Sequence, residues 1–169
     1  TLSKEGERRD SSKDDIQNLV SWCFKNNIVP DYVFPFGAVG ETATLTMMNP
    51  DASTATLRVL LQGVQWLIGA LAQNHKEIAT VTRKTMVVLP LSPNHGVFGG
   101  DGAYADSKIG LESLLNRWHS EKDDWGNKIA LVGASIGWVR GTGLMDANNL
   151  VAAAMEKEAG MRTFSTDEM

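Results

Sequence analysis

One cysteine, Cys23, in 169 residues excludes a disulfide within the chain. Histidine is almost as scarce, and His75, His95 and His119 stand apart from one another and from Cys23, so no metal site is expected. Positive charge is not in excess: 16 Lys and Arg against 20 Asp and Glu leave a net charge of -4, which argues against a nucleic-acid surface. No apolar run reads as long enough to cross a bilayer, and the polar, charged stretch Thr1 to Asp15 does not read as a signal peptide. A soluble, cytoplasmic protein with no membrane partner is the expectation. What is present is a 43% apolar composition, enough to build one real core. Cys23 joins it on the stripe Ile16, Leu19, Val20, Cys23, Phe24, where a buried, inert thiol is expected.

The apolar pattern alternates between helix and strand. Ser11 or Ser12 caps a first helix running to about Asn27, and Asp31 to Phe36 reads as a short strand. Ser53 or Thr54 begins a helix whose Leu57, Leu60, Leu61, Val64, Leu67, Ile68 and Leu71 recur with helical period. Thr85 to Leu91 is a second strand, Asp101 or a neighbour caps the next helix, and Lys128 to Ser135 is a third strand. A last helix spans Asn148 to Ala159. Strands joined by helical crossovers imply an α/β fold, here one half of a Rossmann-like, doubly wound parallel sheet. Both ends read as cut. Ser165-Thr-Asp-Glu168 is a capping-box signature for a further helix, and no glycine-rich turn that would hold a pyrophosphate precedes the first helix. The expectation is an internal piece, with residues 1–12 a polar lead-in and 13–169 carrying the site.

That site is announced by Tyr104-Ala-Asp-Ser-Lys108. Residues four apart share a helix face, so the phenol of Tyr104 and the ammonium of Lys108 become neighbours. A free phenol, with a pKa of about 10, is too weak an acid for fast proton transfer, and a fixed positive charge beside it favours phenolate. Lys108 shares a stripe with Tyr104, Leu111, Leu115 and Trp118, the apolar face, where a lysine must be paired or working. The bland alternative is a half-buried tyrosine beside a lysine that snorkels its stem. Ser92, where the second strand runs out, weighs against that: it adds a hydroxyl able to hold a substrate oxygen, and ligands of open parallel sheets bind beyond the carboxyl ends of strands. Past the third strand, Gly137 would let backbone approach a flat ring, and Thr142 offers a hydroxyl. Gly96, Gly100 and Gly102 imitate a dinucleotide fingerprint. The next strand, however, ends at Ala134-Ser135 with no acid for a ribose hydroxyl, so a substrate-side loop is the expectation.

The set Ser92, Tyr104, Lys108 resembles the short-chain dehydrogenase/reductase superfamily. Longer words narrow it: Leu91-Ser-Pro-Asn-His-Gly, Phe98-Gly-Gly-Asp-Gly-Ala-Tyr104, Asn116-Arg-Trp-His-Ser-Glu121, Ile136-Gly-Trp-Val-Arg-Gly-Thr-Gly-Leu-Met145 and Arg162-Thr-Phe-Ser165. From about Asp14 to the end the chain is similar to the ketoacyl reductase domain of fungal-type type I fatty acid synthases, a design shared by some actinobacteria. The resemblance implies reduction of a 3-oxoacyl chain, tethered to acyl carrier protein by phosphopantetheine, with hydride from NADPH. It implies Tyr104 as proton donor, Ser92 as the group that polarises the oxygen, and Lys108 as both modulator of Tyr104 and ligand of the nicotinamide ribose. It further implies Gly137 beside the nicotinamide, Thr142 on its carboxamide or the diphosphate, and His95 and Phe98 on the substrate side. The implied partners are the carrier protein and other synthase domains, in a large oligomer.

Two positions depart from the superfamily. Where many members carry an Asn on the helix before the serine strand, this chain has Gln62 or Gly63, and where Pro-Gly is common after the third strand it has Ile136-Gly137. Two other readings remain: a structural or carrier-docking segment without its own catalysis, and a short-chain reductase of other ketones.

Overall fold

The computed structural model describes residues 13–77, 82–145 and 150–169. It divides into two units, residues 1–134 and 135–169.

In the first unit, a sheet with the order β1-β2-β3 is built from Tyr32–Val33 (β1), Thr85–Leu91 (β2) and Ile129–Ser135 (β3), the last running on into the boundary. β1 and β2 are parallel, with Tyr32 opposite Met86 and Val33 opposite Val87. The central strand TMVVLPL is apolar because both its faces are covered: Val87 and Leu89 are fully buried. Of the helices α1 (Lys13–Lys25), α2 (Pro50–Leu57), α3 (Gly63–Glu77) and α4 (Tyr104–Ser120), α1, α3 and α4 supply the cover through Val20, Phe24, Val64, Ile68, Leu71 and Leu111. The α/β class and the parallel sheet are thus as the apolar pattern expects.

Local chemistry moves several boundaries. The first strand is two residues long, not Asp31 to Phe36, because Pro35 has no N–H to give a ladder; Phe34 and Phe36 are exposed and meet edge to face at 5.8 Å. The second helical stretch starts before Ser53: Asn49 Oδ1 accepts the N–H groups of Asp51 and Ala52 at 2.9 and 3.1 Å, with Pro50 in the first turn. α2 then runs through a π-helical segment, Arg58–Gln62, into α3. The continuous helical stretch Pro50–Glu77 has 28 residues and contains an 18-residue window with a mean hydropathy of 1.3, by length and composition enough to cross a membrane, which corrects the expectation. Single polar residues such as Gln62 and Gln65 break the run in the sequence without lowering that window's average enough. Leu60, Val64, Ile68 and Leu71 are buried within the unit, as in a core helix. On α1 the stripe is narrower than expected: Val20 and Phe24 are buried, Cys23 is only partly buried and Leu19 is 60% exposed. Ser11 and Ser12 lie outside the described residues.

Behind the sheet a histidine is stored neutral. His75, at the end of α3, is buried, with its ring edge-on to Phe24 at 5.2 Å. Thr85 Oγ1 donates to the Pro30 carbonyl at 2.7 Å, so His75 Nε2 must donate to Thr85 Oγ1 at 2.7 Å, and Nδ1 is left buried without a partner. Burial chiefly, with Lys128 and Arg83 adding to it, holds this imidazole below its ordinary pKa of 6.5. The unfolded chain therefore binds the proton first, and stability falls as pH drops below about 6.5. A thermal unfolding series from pH 7 to pH 5 is expected to show a decline that His75→Gln flattens. An unchanged slope in the variant would assign the acid sensitivity elsewhere.

The second unit holds β4 (Trp138–Val139) and β5 (Thr163–Phe164), parallel, with Trp138 opposite Thr163. Between them lies α5 (Ala152–Ala159), which ends on Gly160 in the left-handed region at φ 62°. Its expected start at Asn148 lies outside the described residues. Ser165-Thr-Asp-Glu168 forms one 3-10 turn in which the Ser165 N–H donates to the Glu168 carboxylate at 2.7 Å.

Candidate active site

β2 delivers its last residues to the carboxyl edge of the sheet, and Ser92 follows at 8% exposure. Its Oγ accepts the Asn94 N–H at 3.1 Å, which leaves the serine proton to point elsewhere. Tyr104 opens α4 and is half-buried; its phenol is hydrogen-bonded to Ser92. One turn on, Lys108 is 4% exposed, donates to the Pro90 carbonyl at 2.6 Å and places Nζ 5.3 Å from the centroid of the Tyr104 ring. Ser92, Tyr104 and Lys108 are thus brought together at the end of β2.

The electrostatics differ from expectation. Burial raises the Tyr104 pKa above its ordinary 10, a hydrogen bond from Ser92 pulls it back, and the Asp101 carboxylate adds to the rise. Lys108 does not reverse this. Its ammonium lies against the ring and is engaged with Pro90, and burial pushes its own pKa down to about 8. The phenol in this structure keeps its proton through the neutral range. The lysine is a buried cation at neutral pH.

The glycine loop is explained by backbone rather than by a phosphate. Gly96, Gly99, Gly100 and Gly102 all have positive φ, between 53° and 85°. Asn94 organises it: Oδ1 accepts the Gly96 N–H at 3.0 Å and Nδ2 donates to Asp101 at 3.1 Å. Asp101 is therefore not the cap of α4, whose N-cap is Ala103 with no side-chain bond. His95 pairs with Glu112 at 2.8 Å, both about 40% exposed, and Phe98 is 62% exposed at the loop surface. No hydrogen bond, ion pair or ring contact joins either to Ser92, Tyr104 or Lys108 among the described residues. Gln62 is exposed and Gly63 buried, and neither is brought to the phenol by a hydrogen bond.

In the second unit Gly137 precedes β4, and a Cβ there would meet the Phe164 ring at 3.4 Å. Thr142 donates to the Val139 carbonyl at 3.1 Å.

Glu41 is the residue that the sequence reading missed. It lies in a loop without periodicity, yet its carboxylate accepts the Ser53 hydroxyl at 2.6 Å and the Ala103 N–H at 2.9 Å, next to Tyr104. An Ala at an N-cap, with no acceptor of its own, was the one available sign that a cap comes from elsewhere.

No protein-family model matches the chain. In sequence it is similar to the fatty acid synthase subunit alpha of Emericella nidulans, 50% identical over 140 residues, covering 82% of this chain and 8% of that protein. The same subunit of Saccharomyces cerevisiae is 42% identical over 164 residues, 94% of this chain and 8% of that protein. The chain thus spans less than a tenth of the length of these relatives. In structure it resembles a short-chain type dehydrogenase/reductase from Mycobacterium marinum, with a TM-score of 0.74 and 14% identity over 91% of this chain and 60% of that one.

Proposed function

We propose that this chain, which belongs to the fungal-type fatty acid synthase alpha-subunit family and has the short-chain dehydrogenase/reductase fold, is the ketone-reducing segment of its parent protein. Its substrate is a 3-oxoacyl group held as a phosphopantetheine thioester on acyl carrier protein, and its product is the 3-hydroxyacyl thioester. The observation that carries the reading is the meeting of a hydroxyl, a phenol and a buried ammonium at the carboxyl end of one buried strand.

The donor set fits a nicotinamide cofactor. The Lys108 ammonium has three N–H donors and commits one to Pro90, leaving two for the vicinal hydroxyls of a ribose. A bound reduced nicotinamide, NADPH by the family resemblance, supplies the hydride. Ser92 donates to the carbonyl oxygen and draws electron density from the carbon. Tyr104 passes its phenolic proton to the same oxygen as negative charge develops there, so the new O–H bond takes its hydrogen from the tyrosine. Lys108 holds the ribose through its two uncommitted N–H donors, and the Ser92 hydroxyl beside the phenol steadies the phenolate left behind. Gly137 and Thr142 are assigned to the nicotinamide end by resemblance, and His95 and Phe98 to the substrate side, with the exposed Phe98 ring available to an acyl chain.

The test uses the intact parent protein, a 3-oxoacyl pantetheine thioester and NADPH deuterated at the transferable position. The expected product is a 3-hydroxyacyl thioester with deuterium on the carbinol carbon. A folded protein that neither oxidises NADPH nor transfers the label would instead be a structural or carrier-docking segment. Preference for small free ketones would place it among other reductases of the superfamily.

A further inference from the structure

We infer that Glu41 is a positioning residue for the proton donor: its carboxylate ties α2 to the start of α4 and so fixes where Tyr104 stands. The inference rests on the reductase reading for its meaning, though its geometry stands apart from it.

The first N–H groups of a helix have no partner within it and need acceptors from outside. The N-cap of α4, Ala103, has no side chain able to accept, and Asp101 is turned to Asn94. Glu41 takes the vacant role from 62 residues away. Oε2 accepts the Ala103 N–H at 2.9 Å while Oε1 accepts the Ser53 hydroxyl at 2.6 Å, so the carboxylate is bound at both ends. These two hydrogen bonds hold it below the usual carboxylate range, and it stays charged at a helix terminus that favours negative charge.

Neighbouring backbone reinforces the strut. The Ala43 N–H donates to Gly100 at 2.9 Å and the Gly102 N–H donates to Ala43 at 3.0 Å, a parallel bridge across the glycine loop. Gly102 has φ 53°, and a Cβ on it would lie 2.3 Å from Glu41 Cδ. Only a glycine leaves room for the carboxylate. The backbone from Gly100 to Ala103 is therefore clamped by the Glu41 loop, and Tyr104 comes next. Proton transfer is sensitive to such placement, since a shift of about 1 Å can cost about a hundredfold in rate.

The test compares Glu41→Ala, Glu41→Gln and Ser53→Ala in the intact protein. Glu41→Ala is expected to lower kcat about ten- to a hundredfold with KM for NADPH little changed. Glu41→Gln should restore most of that, because its amide oxygen still accepts from Ala103 and its amide nitrogen can donate to Ser53. Ser53→Ala, which cuts one tether, should lie between. Amide exchange of the peptide 100–108, read by mass spectrometry, should be faster in Glu41→Ala and near normal in Glu41→Gln. Unchanged kcat and exchange in Glu41→Ala, or a Gln variant as poor as Ala in both, would overturn the inference. So would a lower folded yield with kcat per folded site unchanged. A wild type that reduces no 3-oxoacyl thioester would sink the reductase reading, and the exchange measurement would still decide whether Glu41 holds the start of α4.

Discussion

Tyr104→Phe is expected to lower kcat by about 10²- to 10⁴-fold with the fold and NADPH affinity retained, the range typical of losing a general acid. Phe keeps the ring, its half-buried position and its face toward Lys108 Nζ at 5.3 Å, and loses only the hydroxyl. That hydroxyl meets Ser92, whose own Oγ remains anchored by the Asn94 N–H. Packing therefore changes little, while the proton that must reach the developing oxyanion is gone. Burial holds the phenol above its ordinary pKa, so in the wild type the proton is in place throughout the neutral range. Single-turnover oxidation of NADPH, with cofactor affinity measured separately, distinguishes lost chemistry from lost binding. Full activity in the variant would remove Tyr104 from the mechanism and leave Ser92 as the remaining hydroxyl donor.

What the sequence made legible was what repeats or runs locally. The period of α4 set Tyr104, Lys108 and Leu111 on one face, and the apolar run of β2 predicted where Ser92 would emerge. Endings were less legible, because they depend on single residues competing for backbone partners. Asn49-Pro50 outcompetes Ser53 as a helix start, and Pro35 cuts β1 short. Asp101 looked like a cap only while the demand of Asn94 for its carboxylate was invisible. Glu41 was not legible at all: its partners Ser53 and Ala103 are remote in sequence, and no periodicity marks the loop that carries it. The direction of the Tyr104 pKa was misjudged for a related reason. Helical spacing puts an ammonium near a phenol, but only the packed structure shows it laid against the ring and bonded to Pro90.

Lys108→Met is expected to abolish turnover, by at least about 10²-fold, without a comparable loss of stability. A buried cation is costly even when it works. At 4% exposure, with one backbone carbonyl as its hydrogen-bond acceptor, Lys108 has its pKa lowered from 10.5 to about 8. Met fills the volume of the stem and removes the charge, and against that gain stands the Pro90 carbonyl left without its donor, a cost of about 1–3 kcal/mol. The two effects oppose each other, so the melting temperature should stay close to that of the wild type. Above pH 8 the native lysine is neutral while the unfolded one still binds its proton up to 10.5, so wild-type stability should rise with pH across that window. The Met variant should lack that rise. Activity should run the opposite way: kcat/KM reports groups of the free enzyme, and the loss of the Lys108 charge should set a basic limb near pH 8. A limb at or above the ordinary tyrosine pKa would assign control to Tyr104 alone. A Met variant that turns over at the wild-type rate would mean that the buried ammonium only packs.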